Sequence, residues 1–400
     1  MADTHEEKCP VCDSSNIDAS IDIPDVPIYC NVLWPSREVA LDAAKGDISV
    51  GYCRECGHVF NTSFDPSLMS YTEDYENSLH YSPTFNEYAE SLASRLLEKY
   101  QLNNKSIIEI GCGKGDFLSM LCAKGENRGY GFDKSFETDR VASDTHKNIT
   151  FIQDFYGEKY ADYDADLIVC RHVLEHIQHP QRFLQDIRQV IGDRTDTVVY
   201  FEVPNALYTL KDMGIWDLIY EHCGYFNVNS LSRAFELAGF DVCETGESFG
   251  GQFIYLEAKP RTRENTVDKN STIALQKREL EDLATCVTAF ESNYKAKVDG
   301  WRKKLDALQK NNESAVIWGG GSKGITFLNV LQTEQVIAHI VDLNPHKQGL
   351  FAPGTGQEVI GPEALKALRP EHVIIMNGIY QDEITGMLAD LGITAEISCV

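Results

Sequence analysis

The chain has 400 residues, 43% of them hydrophobic, with 61 acidic against 36 basic side chains and a formal net charge of -25. That length exceeds one ordinary core and predicts about two to three domains, while so negative a charge argues against nucleic acid or anionic lipid as partners, because both need basic surface. No stretch approaches the roughly 20 apolar residues that span a bilayer, and the start, Met-Ala-Asp-Thr-His-Glu-Glu, has neither the basic nor the apolar run of a leader peptide, so a cytoplasmic chain with no membrane association is expected.

Residues 1–70 carry few helical signals and two Cys-x-x-Cys knuckles, Cys9-Pro10-Val11-Cys12 and Cys53-Arg54-Glu55-Cys56. Two such knuckles bring together the four thiolates of a tetrahedral zinc site, which predicts a zinc-binding module held by Cys9, Cys12, Cys53 and Cys56. Unmetallated thiol turns are the plainer alternative. A redox pair would want a strand-to-helix context that neither knuckle shows. A disulfide framework is not expected in a reducing compartment, and the remaining cysteines read as small buried hydrophobes.

The segment 71–260 begins with a helical pattern over Thr84 to Tyr100, apolar on one face at Phe85, Tyr88, Leu92, Leu96 and Leu97. Strands and helices then alternate from Ser106 to about Lys259, the pattern of a doubly wound α/β sheet. Its most informative stretch is Ile107-Ile108-Glu109-Ile110-Gly111-Cys112-Gly113-Lys114-Gly115-Asp116, an apolar strand running into a glycine turn with an acid near the strand's end. Glycines at 111, 113 and 115 let the backbone approach a ligand, and the helical spacing after Asp116 puts the turn at a helix N-terminus. For a dinucleotide the third glycine comes one residue early, and Glu109 would repel a phosphate while accepting from an ammonium or a water.

From about Asn270 to Lys310 the composition shifts to Lys, Glu, Ala and Leu, with apolar residues spaced by three and four from Leu280 to Leu308. The spacing predicts one long amphipathic helix, or two meeting near Gly300, as a connector over 261–312 that joins domains or packs across a dimer. A second α/β pattern follows over 313–400. It opens with Ala315-Val316-Ile317-Trp318 and Gly319-Gly320-Gly321-Ser322-Lys323-Gly324, a Gly-x-Gly-x-x-Gly match, with Asp342 where a ribose-binding acid would stand. Taken alone this turn points to a nicotinamide; Lys323 within it suits a phosphate or sugar-nucleotide equally.

The Glu-x-Gly-x-Gly-x-Gly pattern resembles the first motif of class I S-adenosylmethionine-dependent methyltransferases, whose later landmarks appear in order. Tyr130-Gly131-Phe132-Asp133 resembles the second strand, with Asp133 on the ribose hydroxyls. Phe151-Ile152-Gln153-Asp154-Phe155 resembles the third, with Asp154 at the adenine amino group, and Asp164 to Cys170 the fourth, opening onto Arg171-His172-Val173-Leu174-Glu175-His176. The resemblance implies a Rossmann-like fold and a cofactor site of Glu109, Gly111, Gly113, Gly115, Asp133, Asp154, Phe155 and Arg171.

With the paired cysteine knuckles and the Gly-Gly-Gly-Ser-Lys-Gly-Ile-Thr-Phe-Leu-Asn segment, nearly the whole chain resembles the three-domain sugar C-methyltransferases of deoxysugar pathways. Tyr81-Ser82-Pro83-Thr84-Phe85, Glu202-Val203-Pro204-Asn205 and Val341-Asp342-Leu343-Asn344-Pro345 add to the likeness. That family implies a nucleotide-linked 4-keto sugar as acceptor, loss of the proton α to the ketone, and attack of the enolate carbon on the cofactor's methyl group. Ile219-Tyr220-Glu221-His222-Cys223-Gly224 matches its catalytic Glu-His segment, implying His222 as base and Glu221 as its orienting partner, with His176 a second functional histidine and Tyr75 or Tyr81 on the sugar or enolate. One departure is visible: the family often carries His-Glu-His after the tyrosine, whereas Tyr220 runs directly into Glu221-His222. O- or N-methylation of another small metabolite and a nicotinamide-linked oxidoreductase remain the alternatives, and either a monomer or a homodimer fits.

Overall fold

A computed structural model describes residues 8–69, 78–136, 148–262, 269–332 and 336–400, with the side chains of 269–279 excepted. Three sheets form. The first joins β1 (Ile17–Pro27), β2 (Lys45–Cys53) and β3 (Val59–Asn61) in antiparallel pairs. Period-two alternation is visible in β1, where Ile21 and Ile23 turn inward and Asp22 and Pro24 face solvent.

The second sheet is built from β4 (Ser106–Ile110), β5 (Arg128–Phe132), β6 (Ile149–Ile152), β7 (Leu167–Arg171) and β8 (Val198–Pro204). The short β9 (Gly224–Tyr225) leaves this segment to pair with β3, so the first sheet is completed by residues far along the chain. Then β10 (Phe240–Ser248) and β11 (Phe253–Pro260) close the second sheet in the order β10-β11-β8-β7-β4-β5-β6. The pairs among β4 to β8 are parallel, and β11 is antiparallel to both its neighbours. This is the class I methyltransferase form of the Rossmann-like doubly wound sheet. All five residues of β7 are buried, as a strand covered on both faces requires. Strand order reverses between β4 and β7, and in open α/β sheets ligands bind at such a reversal, beyond the strands' carboxyl ends.

One helix, Lys269–Asn311, runs on through Gly300 without a break. A Cβ at Gly300 would meet nothing within 4 Å, so the residue sits on an open surface and costs the helix about 1 kcal/mol of propensity rather than a kink. Leu283, Val287, Phe290, Tyr294, Val298, Leu305 and Leu308 are buried in one core with Ile21 and Ile48 of the first sheet and Ile325 and Phe327 beyond the helix. The apolar stripe is thus covered within the chain, and the helix joins the two ends of the molecule.

The third sheet is fully parallel, with β12 (Ala315–Trp318), β13 (Ile337–Val341), β14 (Glu358–Ile360), β15 (His372–Ile375) and β16 (Glu396–Cys399) in the order β14-β13-β12-β15-β16. Strand order in this sheet reverses between β12 and β15, and the glycine turn 319–324 follows β12. Among the described residues no helix is long and apolar enough to cross a membrane.

Candidate active site

After β4 the chain turns through Gly111, Gly113 and Gly115 at φ of 71°, 53° and 84°, a left-handed path that favours glycine, and enters the helix Asp116–Gly125. A Cβ on Gly115 would lie 2.4 Å from the Phe151 ring, whereas one on Gly113 would meet nothing within 4 Å. Gly115 therefore serves packing, and Gly113 leaves an open cradle. The Gly113 amide donates to Asp133 Oδ2 at 2.9 Å, and Ser135 donates from its amide and hydroxyl to Oδ1 at 2.8 and 2.7 Å. Asp154 accepts from the Phe155 amide at 2.9 Å and the Tyr160 hydroxyl at 2.6 Å, and its pairing with Lys159 holds its carboxyl well below the usual range.

A cavity of about 390 Å3 is lined by Glu109, Gly111, Gly113, Asp133, Asp154, Phe155 and Arg171, with Phe155 68% exposed at its rim. Gly115 stands behind it. Glu109 is 4% exposed, and one of its oxygens, Oε2, has no hydrogen-bond partner among the described residues. Burial pushes its carboxyl up to about 8, with Arg171 pulling the other way and Asp116 and Asp133 adding to the rise. An open backbone cradle flanked by carboxylates fits an amino-acid sulfonium carrying a ribose better than a pyrophosphate.

Arg171, at the end of β7, places Nε and Nη2 3.0 and 2.9 Å from Glu202 Oε1, and its guanidinium lies 4.4 Å over the Phe117 ring. Glu202 is a hub: it also accepts from Tyr88, from Tyr200 at 3.0 Å and from Ser248 at 3.2 Å. Burial opposes the charge on Glu202, but Arg171 and His172 outweigh it and hold the carboxyl well below its usual range. This role was readable from a glutamate inside the apolar run of β8, since a buried carboxylate demands a partner.

The loop after β7 turns at His172, φ 55°, into a single turn over Leu174–His176. His176 Nδ1 lies 2.9 Å from the Glu221 carbonyl oxygen, which only accepts, so the proton sits on Nδ1 and the lone pair on Nε2. The His176 and His222 rings meet edge-on with centroids 4.9 Å apart. Glu175, which sequence reasoning passed over, joins them: one ligand-type atom each from Glu175, His176 and His222 lie within 4.8 Å of one another. Burial lowers His176 to about 4 and His222 well below the usual imidazole range, with neighbouring histidines adding to the latter, and raises Glu175 to about 8. The Glu221 carboxylate is engaged elsewhere, accepting from the Cys30 amide at 2.8 Å. Glu221 thus reaches the histidines through its carbonyl, on His176, and ties the loop to the first sheet through its side chain.

These groups line a second cavity of about 290 Å3, which adjoins the first at His172 and His176. The third sheet forms its far wall through Gly319, Lys323 and Asp342, and Lys323 Nζ pairs with Asp217 Oδ2 at 2.7 Å across the seam. Tyr81 lies at the edge, 39% exposed. Tyr75 lies outside the described residues.

In the N-terminal sheet the pairs Cys9–Cys56 and Cys12–Cys53 have sulfurs 3.5 Å apart, and all four sulfurs lie within 4.8 Å of one another. A tetrahedral ion with zinc–sulfur bonds of about 2.3 Å needs sulfurs roughly 3.8 Å apart, so the set fits zinc.

Residues 81–245 match a family model described as a methyltransferase domain, and residues 247–394 one described as the C-methyltransferase C-terminal domain. C-methyltransferase NovU of Streptomyces niveus is 22% identical over 295 residues, 70% of this chain and 67% of that protein. Among solved structures, an S-adenosylmethionine-dependent methyltransferase from Aquifex aeolicus is 16% identical with a TM-score of 0.36, covering 45% of this chain and 95% of that one. The magnesium protoporphyrin IX methyltransferase of Synechocystis PCC 6803, with bound S-adenosylhomocysteine, is 18% identical with a TM-score of 0.33, over 45% and 84%.

Proposed function

We propose that this chain, which belongs to the S-adenosylmethionine-dependent C-methyltransferases, methylates the carbon next to the ketone of a nucleotide-linked keto-deoxysugar. The observation that carries this is the meeting of the two cavities at His172 and His176, with His222 on the acceptor side and the third sheet's glycine turn as the far wall. A carbon acid held there has a base on one side and the cofactor cavity on the other. The likeness to deoxysugar C-methyltransferases supplies the substrate class.

When bound, the cofactor supplies an electrophilic methyl group on a sulfonium. Glu109, Asp133, Asp154 and the Gly113 cradle hold it, and Arg171, pinned by Glu202, keeps the wall behind it in place. His222 takes the acidic α proton of the acceptor through a ring nitrogen that faces Glu175 and His176. His176, with Nδ1–H committed to the Glu221 carbonyl, offers Nε2 to the same space. Tyr81 hydrogen-bonds the sugar or the enolate oxygen from the rim. Lys323 and the turn 319–324 hold the nucleotide-bearing end, and the residue 1–70 module is braced by zinc on Cys9, Cys12, Cys53 and Cys56.

Incubation with 4-keto nucleotide sugars in deuterated water, without cofactor, tests the carbon-acid step. Deuterium should enter at the α carbon, and His222→Ala should stop it. Methyl transfer to oxygen or nitrogen with no such exchange would replace this reading.

A further inference from the structure

We propose that Glu175, His176 and His222 form a second metal site, separate from the cysteine cluster, which takes one divalent transition-metal ion and silences the enzyme when filled. The silencing rests on His222 being the base, as proposed above; the metal site stands without it.

One carboxylate and two imidazoles are a donor set that borderline divalent ions such as zinc and cobalt favour over calcium or magnesium. The three ligand-type atoms already lie within 4.8 Å of one another. An ion with bonds of about 2.1 Å wants them roughly 3.4 Å apart, so the side chains must draw in by up to about 1.4 Å, and the adjoining cavity leaves them room to do so.

Three further features point to an ion. Glu175 is 2% exposed, yet its Oε2 has no hydrogen-bond partner among the described residues; its other oxygen is 3.8 Å from His172 Nδ1. His222 Nδ1 is likewise buried and unpartnered. Unsatisfied buried polar atoms are rare in folded proteins, and a buried carboxylate oxygen left over on a side chain that lies within 4.8 Å of two imidazoles asks for a partner. Lastly, His176 carries the outer contact of a metal-binding histidine, Nδ1–H on the Glu221 carbonyl at 2.9 Å, which fixes the orientation of the ring.

The site opens on the acceptor cavity, so three protein ligands leave a coordination position facing the acceptor's place. The bound ion takes the His222 lone pair that would otherwise accept the substrate proton. The cysteine cluster differs in kind, with four soft ligands and no open position.

The test uses the full chain with zinc already in the cysteine cluster, titrated with cobalt(II) under anaerobic conditions. One further equivalent should bind, with weak ligand-field bands and no thiolate charge-transfer band. Glu175→Gln should weaken that binding at least tenfold while zinc content and S-adenosylhomocysteine binding stay unchanged. Methyl transfer should fall in step with cobalt occupancy and return when a mild chelator removes it. Saturation with no further equivalent, a thiolate band, or cobalt affinity unmoved in Glu175→Gln overturns the site. A filled site with full activity overturns the silencing. If no keto sugar is turned over at all, the substrate assignment fails, and the cobalt titration still decides the metal site.

Discussion

The glycine turns at 111–115 and 319–324 are braced alike and charged differently. In each, a turn amide donates to the carboxylate at the end of the neighbouring strand: Gly113 to Asp133 at 2.9 Å and Gly320 to Asp342 at 2.8 Å. Around the second, the ammonium of Lys347 stands 3.7 Å from the Asp342 carboxylate and 3.2 Å from the Gly320 carbonyl, while Lys323 is paired to Asp217 across the seam. At the first, Asp133 is joined by Glu109, whose Oε2 is buried with no hydrogen-bond partner among the described residues. The backbone device only puts a braced turn at a strand's end; the neighbouring charges decide whether a cation or an anionic group is welcome there. A pattern of glycines is therefore a weak guide to the ligand, and so is a lysine within it, since Lys114 stands in the first turn and Lys323 in the second; the acid before the turn, Glu109, is the better one.

The largest expected effect lies between the turns. His222→Ala should lower kcat by roughly 10²- to 10⁴-fold, the usual share of a general base, with S-adenosylhomocysteine affinity unchanged by calorimetry; a parallel loss of affinity would mean that the residue holds the cofactor side together. Next, Gly113→Val fills the open cradle at φ 53° and should weaken S-adenosylhomocysteine binding by about 10- to 100-fold, since such backbone strain alone costs of order 1–3 kcal/mol. Gly320→Ala, its Cβ 3.0 Å from Asp342 Oδ2, should leave that affinity alone. Equal effects at both turns would erase the distinction drawn here. Lys323→Met should raise the acceptor KM by about 5- to 10-fold, the roughly 1 kcal/mol net worth of one hydrogen bond, without moving cofactor binding.

The smallest effect is a pH slope. With its carboxyl pushed up to about 8, Glu109 carries a proton in the free protein at neutral pH. A sulfonium favours the carboxylate, so binding releases that proton. S-adenosylmethionine affinity should then rise by less than tenfold per pH unit toward about pH 8 and level above it, and Glu109→Gln should flatten the slope. A wild-type slope of opposite sign would show that Glu109 does not face the cofactor.

The glycine turn was legible because its requirement is written in residue types: successive φ of 71°, 53° and 84° favour glycine, and the acids at 109, 133 and 154 fall at or just beyond strand ends. The long helix was legible from spacing, its buried residues following the apolar stripe. The acceptor side was less so. Adjacency made Glu221 look like the partner of His222, but neighbours in a turn point apart, and the Glu221 side chain goes to the Cys30 amide. Glu175 joins the two histidines only because the loop after β7 folds against the 220s loop. The two-residue β9 is recognisable only beside β3, which it pairs with.

The most direct test titrates S-adenosylmethionine into the full chain and into Asp133→Ala and Asp342→Ala. Micromolar binding lost in Asp133→Ala and kept in Asp342→Ala is the predicted result. Loss in Asp342→Ala with binding retained in Asp133→Ala would contradict the account, because the cofactor would then sit at the second turn.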